Sequence, residues 1–433
     1  MRRIAAILVL VFLVSNLVVL APPALAQDGT ILVKSSDVHA QFPDGIAFEI
    51  AAQTVAPATI KEIKLDMKVK GSGRGSYAYL DFTPDTSVTG KYLLRTGGAQ
   101  YKPVGSLFEY RFLITDSAGR ILETEPATFL YLDNRFTWDK VSQGVVEVYY
   151  HGSARERAQT VLKASVEAIS KMGALLGVTR EQPIRVIGYN SPAEMAPALP
   201  FQAKAVQTEL LTQGQAWHEY GVLLELISDP LADGVAGHEL THMLVDDAAK
   251  GAYVNIPSWL NEGLAEYGNA NPGYSYDVIM AKAIAAGQLL PLRHMQSPPG
   301  IPQQTLLFYG QSRSVVRYLV NTYGDAKLKD LFGAFRQGLP IDEALKKTYG
   351  FDQDGLDNAW RVSLNLPPLT AAPTSIPIPS ITSTVPRPGP LPQAPASSGI
   401  NIWLIVGIVG AGILIGVIAW IIIARGRSKS TGS

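Results

Sequence analysis

The sequence predicts a multidomain chain: an all-β sandwich, an α+β domain, a proline-rich stalk and one transmembrane helix. Three observations predict it. Between Thr30 and Thr137, short apolar–polar alternations recur between Gly, Asp, Ser and Pro turns, whereas beyond Trp138 the apolar residues take up helical spacing. The chain then passes through a proline-rich stretch into an unbroken apolar run from Ile402 to Ala424.

The elements follow in order. Met1-Arg2-Arg3, an apolar stretch from Ile4 to Leu20 and Ala24-Leu25-Ala26 read as a secretory signal over residues 1–26, either cleaved or kept as an anchor. Runs such as Ile46-Ala47-Phe48-Glu49-Ile50 and Ile63-Lys64-Leu65-Asp66-Met67 alternate with period two, which predicts a small immunoglobulin-like sandwich over 27–137. Over 138–366 we expect the α+β domain. Ser153-Ala154-Arg155-Glu156 is a capping box for a helix ending near Leu176 and Gly177. Pro183 to Tyr189 and Tyr220 to Ile227 are strand candidates, and Ser191-Pro192-Ala193-Glu194 opens a further helix.

Ten of the residues from Leu366 to Gly399 are prolines, mixed with Ser, Thr and Ala, so residues 367–400 favour extended polyproline geometry over a packed core. Residues 401–424 are long enough to span a bilayer, and Arg425, Arg427 and Lys429 in the tail 425–433 keep that end cytoplasmic. The expected location is therefore the cell membrane, single-pass, with the folded domains exported. A mean hydropathy of +0.12 reflects these two apolar ends.

Composition excludes several chemistries. Lys plus Arg number 37 against 37 Asp plus Glu, so there is no basic field to hold nucleic acid. The chain has no cysteine, which removes disulfides, thiolate metal sites and thiol nucleophiles. A metal must rest on His and carboxylates.

Such a set is present. Asp229-Pro230 precedes a helix carrying His238-Glu239-Leu240-Thr241-His242, and a spacing of i and i+4 puts both imidazoles on one face, able to share a Zn²⁺. Glu239 projects beside them as a base for water. A catalytic zinc needs a third protein ligand and an open fourth position. Downstream, Pro257-Ser258 begins a second helix reading Trp259-Leu260-Asn261-Glu262-Gly263-Leu264-Ala265-Glu266-Tyr267, and Glu262 is placed to supply that ligand. His39, His151 and His294 read as surface or pocket-wall residues in turns and loops.

The pair of segments resembles the gluzincin branch of zinc metallopeptidases, the peptidase MA-like group, over about residues 140–366. The resemblance implies a zincin-like fold, a peptide or protein substrate, His238, His242 and Glu262 as zinc ligands and Glu239 as the catalytic base. It also implies that Glu266 orients His238 and that Tyr309, opening Tyr309-Gly310-Gln311-Ser312, supports the oxyanion. In place of the segment by which aminopeptidases of this kind read a free N-terminus stands Gly214-Gln215-Ala216-Trp217-His218-Glu219-Tyr220, which favours an endopeptidase or more general amide hydrolase. In the resembling enzymes the strand before the zinc helix is a sheet edge that pairs with substrate, so the resemblance makes Val222 to Ile227 the candidate for that edge, with an interior strand as the alternative. The alternative to an enzyme is a catalytically inactive surface module that uses the same fold for binding.

Overall fold

The computed structural model describes residues 31–200, 214–299 and 302–369. The signal segment, most of the stalk and the apolar run at 401–424 lie outside the described residues. Among the described residues no helix is long and apolar enough to cross a membrane.

The chain divides into two compact units. The first contains the described residues up to Ile169, those from Arg180 to 200 and those from 214 to Met243. Its N-terminal part is formed by β1 (Leu32–Gln41), β2 (Gly45–Gln53), β3 (Ile60–Val69), β4 (Gly75–Tyr79), β5 (Ser87–Arg95), β6 (Leu107–Asp116), β7 (Ile121–Glu123) and β8 (Ala127–Leu130). They form two antiparallel sheets, ordered β1-β2-β5 and β4-β3-β6-β7, with β8 also on β6. The alternation that predicts them also fills the space between them: Ile46, Phe48 and Ile50 from one sheet and Ile63, Leu65, Phe108 and Phe112 from the other share one core.

That core extends onto a third sheet in the same unit. β9 (Trp138–Gln143), β10 (Val146–His151), β11 (Ile184–Tyr189), β12 (Gly214–Trp217) and β13 (Val222–Leu226) lie in the order β12-β13-β11-β10-β9. β10, β11 and β13 run parallel, whereas β9 and β12 pair antiparallel at the two edges. One face of this sheet, with Tyr149, Ile187, Val222 and Leu224, joins the sandwich core. The other, with Val148, Val186 and Leu223, packs on helix α1 (Arg155–Leu176) through Ala158 and Val161 and on helix α2 (Ala232–Ala249) through Ala236, Leu240 and Met243.

Two sequence expectations need correction here. Val222 to Ile227 is not a sheet edge, because β13 is paired on both sides; among the described residues the edge is β12. His151 is not in an exposed turn: it is buried at the end of β10, stacked on Phe136 with ring centroids 4.1 Å apart and 3.3 Å from the Glu194 carboxylate. The helix expected at Ser191 is a single turn, Pro192–Met195.

Asp133 fastens the sandwich to the third sheet. Its carboxylate is wholly buried and accepts from the Arg135 guanidinium at 2.6 Å and the Tyr189 hydroxyl at 3.2 Å, while its carbonyl accepts from the Trp138 indole at 2.8 Å. Removing a partnered buried carboxylate leaves cationic and hydroxyl donors with nothing to satisfy them. We therefore expect Asp133→Ala to lower unfolding stability by about 3 kcal/mol in urea titrations; a loss below about 0.5 kcal/mol would contradict this role.

The second unit contains residues 170–179 and the described residues from Leu244 onward. It is helical: α3 (Ser258–Gly268), α4 (Tyr276–Ala285), α5 (Pro302–Arg336), α6 (Ile341–Tyr349) and α7 (Gln353–Ser363). α5 is two helical stretches joined at Gly324, whose φ of 78° and ψ of 169° break the helical path.

Candidate metal centre

A tight turn links β13 to α2. The Asp229 N–H reaches the Leu226 carbonyl at 3.0 Å, and the Asp229 carboxylate accepts from the Leu231 N–H at 2.8 Å, so the chain reverses before α2 begins at Ala232. α2 is buried on nearly every side, as its run of Ala, Gly, Val, Leu and Met requires. Its seat on the sheet fixes the direction of the motif. His238 and His242 are buried, their rings nearly perpendicular with centroids 4.8 Å apart, and their Nε2 atoms face each other at 3.1 Å. Glu239 is the half-buried member of the motif.

In the helical unit, Pro257 in extended conformation (φ −68°, ψ 151°) precedes α3. Trp259, fully buried, donates its indole N–H to Gln353 at 3.2 Å, and the Asn261 amide donates to the Tyr253 hydroxyl at 2.7 Å. Gly263 lets α3 meet α5 backbone to backbone, since a Cβ there would lie 2.5 Å from the Ser312 carbonyl oxygen. These contacts set the rotation of α3 and therefore the position of Glu262.

His238, His242 and Glu262 each bring one ligand atom to a common point, all within 4.8 Å of one another. No other trio of His and carboxylate residues converges in this way among the described residues. The donor set fits zinc. Bonds of about 2.0–2.1 Å in a tetrahedron space the ligand atoms about 3.4 Å apart, close to the 3.1 Å between the two imidazole nitrogens, and two neutral nitrogens with one carboxylate leave a fourth position open. Glu266 is buried one turn beyond Glu262 and accepts from the Asn269 amide at 3.3 Å. Tyr309 is buried on α5.

Two residues near α2 receive no role from the sequence alone. His218 follows edge strand β12 in a short turn; burial, then the neighbouring His242 and Arg180, push its pKa down to about 3, so it is neutral at physiological pH. Only its place directly after Trp217 in the segment before α2 signals it. Glu225 lies on β13 among the apolar residues beneath α2 and is wholly buried. Its cross-strand neighbours are Gly188 and Gly214, which offer no side chain. Burial first, and then Glu239, Asp233 and Asp229, raise its pKa well above the usual carboxylate range.

Residues 164–366 match the Peptidase MA superfamily. The match supports a metallopeptidase for this region, and the His–His–Glu group within it supports zinc. No curated protein matches the chain. Similar solved structures include a two-domain M1 zinc metallopeptidase variant bound to L-tryptophan, at 12% identity and a TM-score of 0.31, covering 77% of this chain and 94% of that one. Another is an M1 zinc metallopeptidase variant from Deinococcus radiodurans, at 11% identity and a TM-score of 0.31, covering 76% and 94%. At that TM-score the likeness decides nothing about activity.

The raised pKa of Glu225 has a measurable sign. Folded protein keeps that proton where the unfolded chain, with a pKa near 4.3, has released it, so Glu225 lowers stability progressively as pH rises above about 4. Glu225→Gln should therefore unfold at a higher denaturant midpoint than wild type at pH 7–8, with the gap closing by pH 4. A gap independent of pH would contradict a neutral buried carboxyl.

Proposed function

We propose that the chain is a membrane-anchored, extracytoplasmic zinc metallopeptidase that hydrolyses peptide bonds. The convergence of His238, His242 and Glu262 carries this reading, because buried histidines and a carboxylate at that spacing fit one catalytic metal with an open position. Zinc, when bound there, would polarise the scissile carbonyl and make water acidic enough to give up a proton near neutral pH.

The chain's own residues supply the rest. Glu239, half-buried beside the two ligands, takes the proton from water and delivers it to the leaving amine. Glu266, buried one turn beyond Glu262, is read as the carboxylate that orients His238, and the Tyr309 hydroxyl as the donor that steadies the oxyanion. An extended substrate backbone is expected along β12, which pairs only with β13 among the described residues. The absence of an aminopeptidase-type recognition segment supports an endopeptidase. The order β1-β2-β5 opposite β4-β3-β6-β7 supports the immunoglobulin-like reading of the sandwich. The signal segment and the apolar run at 401–424 support export with a single C-terminal anchor.

The test is Glu239→Gln. It should retain its zinc and lose about 10²–10⁴-fold in turnover of an unfolded protein substrate. Unchanged turnover would remove Glu239 as base, and zinc with no hydrolysis in the wild type would favour the inactive binding module. Tyr309→Phe should keep KM and lower kcat by about 10²–10³-fold; full turnover would remove the oxyanion role.

A further inference from the structure

β4 is an outer strand of its sheet, and its pairing decides which of its backbone groups are left open. Leu80, just past β4, donates its N–H to the Ile63 carbonyl of β3 at 2.9 Å, and along the strand Lys64 stands opposite Tyr79, Asp66 opposite Tyr77 and Lys68 opposite Gly75. Bonding alternates along an antiparallel pair, so Ala78 and Ser76 turn their backbone groups to β3 as Leu80 does, whereas Tyr79, Tyr77 and Gly75 turn theirs away. Asp81 is already taken: it exchanges backbone bonds with Lys91 of β5 at 2.8 and 3.1 Å. The open stretch therefore runs from Gly75 to Tyr79, with Tyr77 at its centre.

That stretch lacks the devices that keep strand edges apart. β1 carries Lys34 and Asp37, β5 Lys91 and Arg95, β7 Glu123, and β9 Asp139 and Lys140. β4 reads Gly75-Ser76-Tyr77-Ala78-Tyr79, the longest outer strand without a charge among the described residues, and it has no proline. Its side chains follow the same alternation. Ala78 packs on the sandwich core, while Tyr77 and Tyr79 are 65% and 54% exposed, with ring centroids 5.8 Å apart. Two adjoining aromatic rings on an open, uncharged edge mark a place for another strand.

We propose that the partner is a second copy of this chain: β4 pairs antiparallel with β4 of that copy about a two-fold axis at Tyr77. The open groups then match, since Tyr77 faces Tyr77 and Gly75 faces Tyr79 in both directions, each with its N–H and C=O turned outward. The Tyr79 ring of one copy covers Gly75 of the other, which has no side chain of its own. Charge fits the same register. Arg74 and Asp81 flank the open stretch, both are exposed, and neither has an ion pair within the chain among the described residues. The axis brings Arg74 of each copy opposite Leu80 and beside Asp81 of the other. A strand of unrelated sequence would match the backbone alone. Five residues make a small contact, so the dimer forms and parts with concentration.

The chain has no cysteine, so a single introduced one reports the contact. A directly opposed, hydrogen-bonded pair has Cα atoms about 5.5 Å apart, within disulfide range. In the full-length chain held in detergent micelles, Tyr77→Cys should oxidise to a covalent dimer about 10-fold faster than Asp37→Cys, which is similarly exposed on the charged edge β1. Wild type should sediment as a dimer at high concentration and as a monomer on dilution. Tyr77→Lys sets two ammonium groups face to face, and should stay monomeric with the melting temperature of dilute wild type. Equal cross-linking rates would overturn the inference, as would a wild type that stays monomeric, and the edge would then be left to a strand of another protein. A dimer that persists in Tyr77→Lys would overturn it too, and would move the contact to another segment, such as the apolar run at 401–424.

Discussion

Two imidazoles four residues apart can share one ion only if the helix that carries them neither rotates nor slides, and the packing of α2 on the third sheet supplies that constraint. Ala236, Leu240 and Met243 face Leu223, Val148 and Val186, and every one of them is buried. A rotation of one residue, about 100°, would turn His238 out of the site and bring Leu240 off its seat. The apolar contacts under α2 and the 3.1 Å approach of the two Nε2 atoms are therefore consequences of one rotational setting. The sandwich contributes from the opposite face of the same sheet, where Tyr149, Ile187 and Leu224 enter its core.

Against this apolar seat Glu225 is the exception. A carboxyl buried among Leu223 and Ile227 works against stability, in a layer whose neighbours are otherwise apolar. Local rules fail most often near functional sites, and Glu239 is foremost among the charges that act on Glu225.

The parts of the site legible in the sequence are those set by local geometry. His238-Glu239-Leu240-Thr241-His242 and Glu262 each lie on a single helix, where spacing alone dictates which side chains share a face. The sandwich strands were legible because one buried face imposes a period of two. What failed was neighbourhood. An apolar run such as Val222 to Leu226 reads the same at an edge and in the interior, and the strand that takes the edge, β12, is only four residues long and follows no strong alternation. His151 read as a turn residue, yet Phe136, fifteen positions earlier, covers its ring.

The central claim is that one zinc ion is held by two histidines of α2 and one glutamate of α3. Metal content by mass spectrometry of the full-length protein, wild type beside His242→Ala and Glu262→Ala, tests it most directly. One equivalent of zinc in the wild type and its loss in both folded variants is the predicted result; a folded wild type without zinc, or zinc retained in both variants, would contradict it.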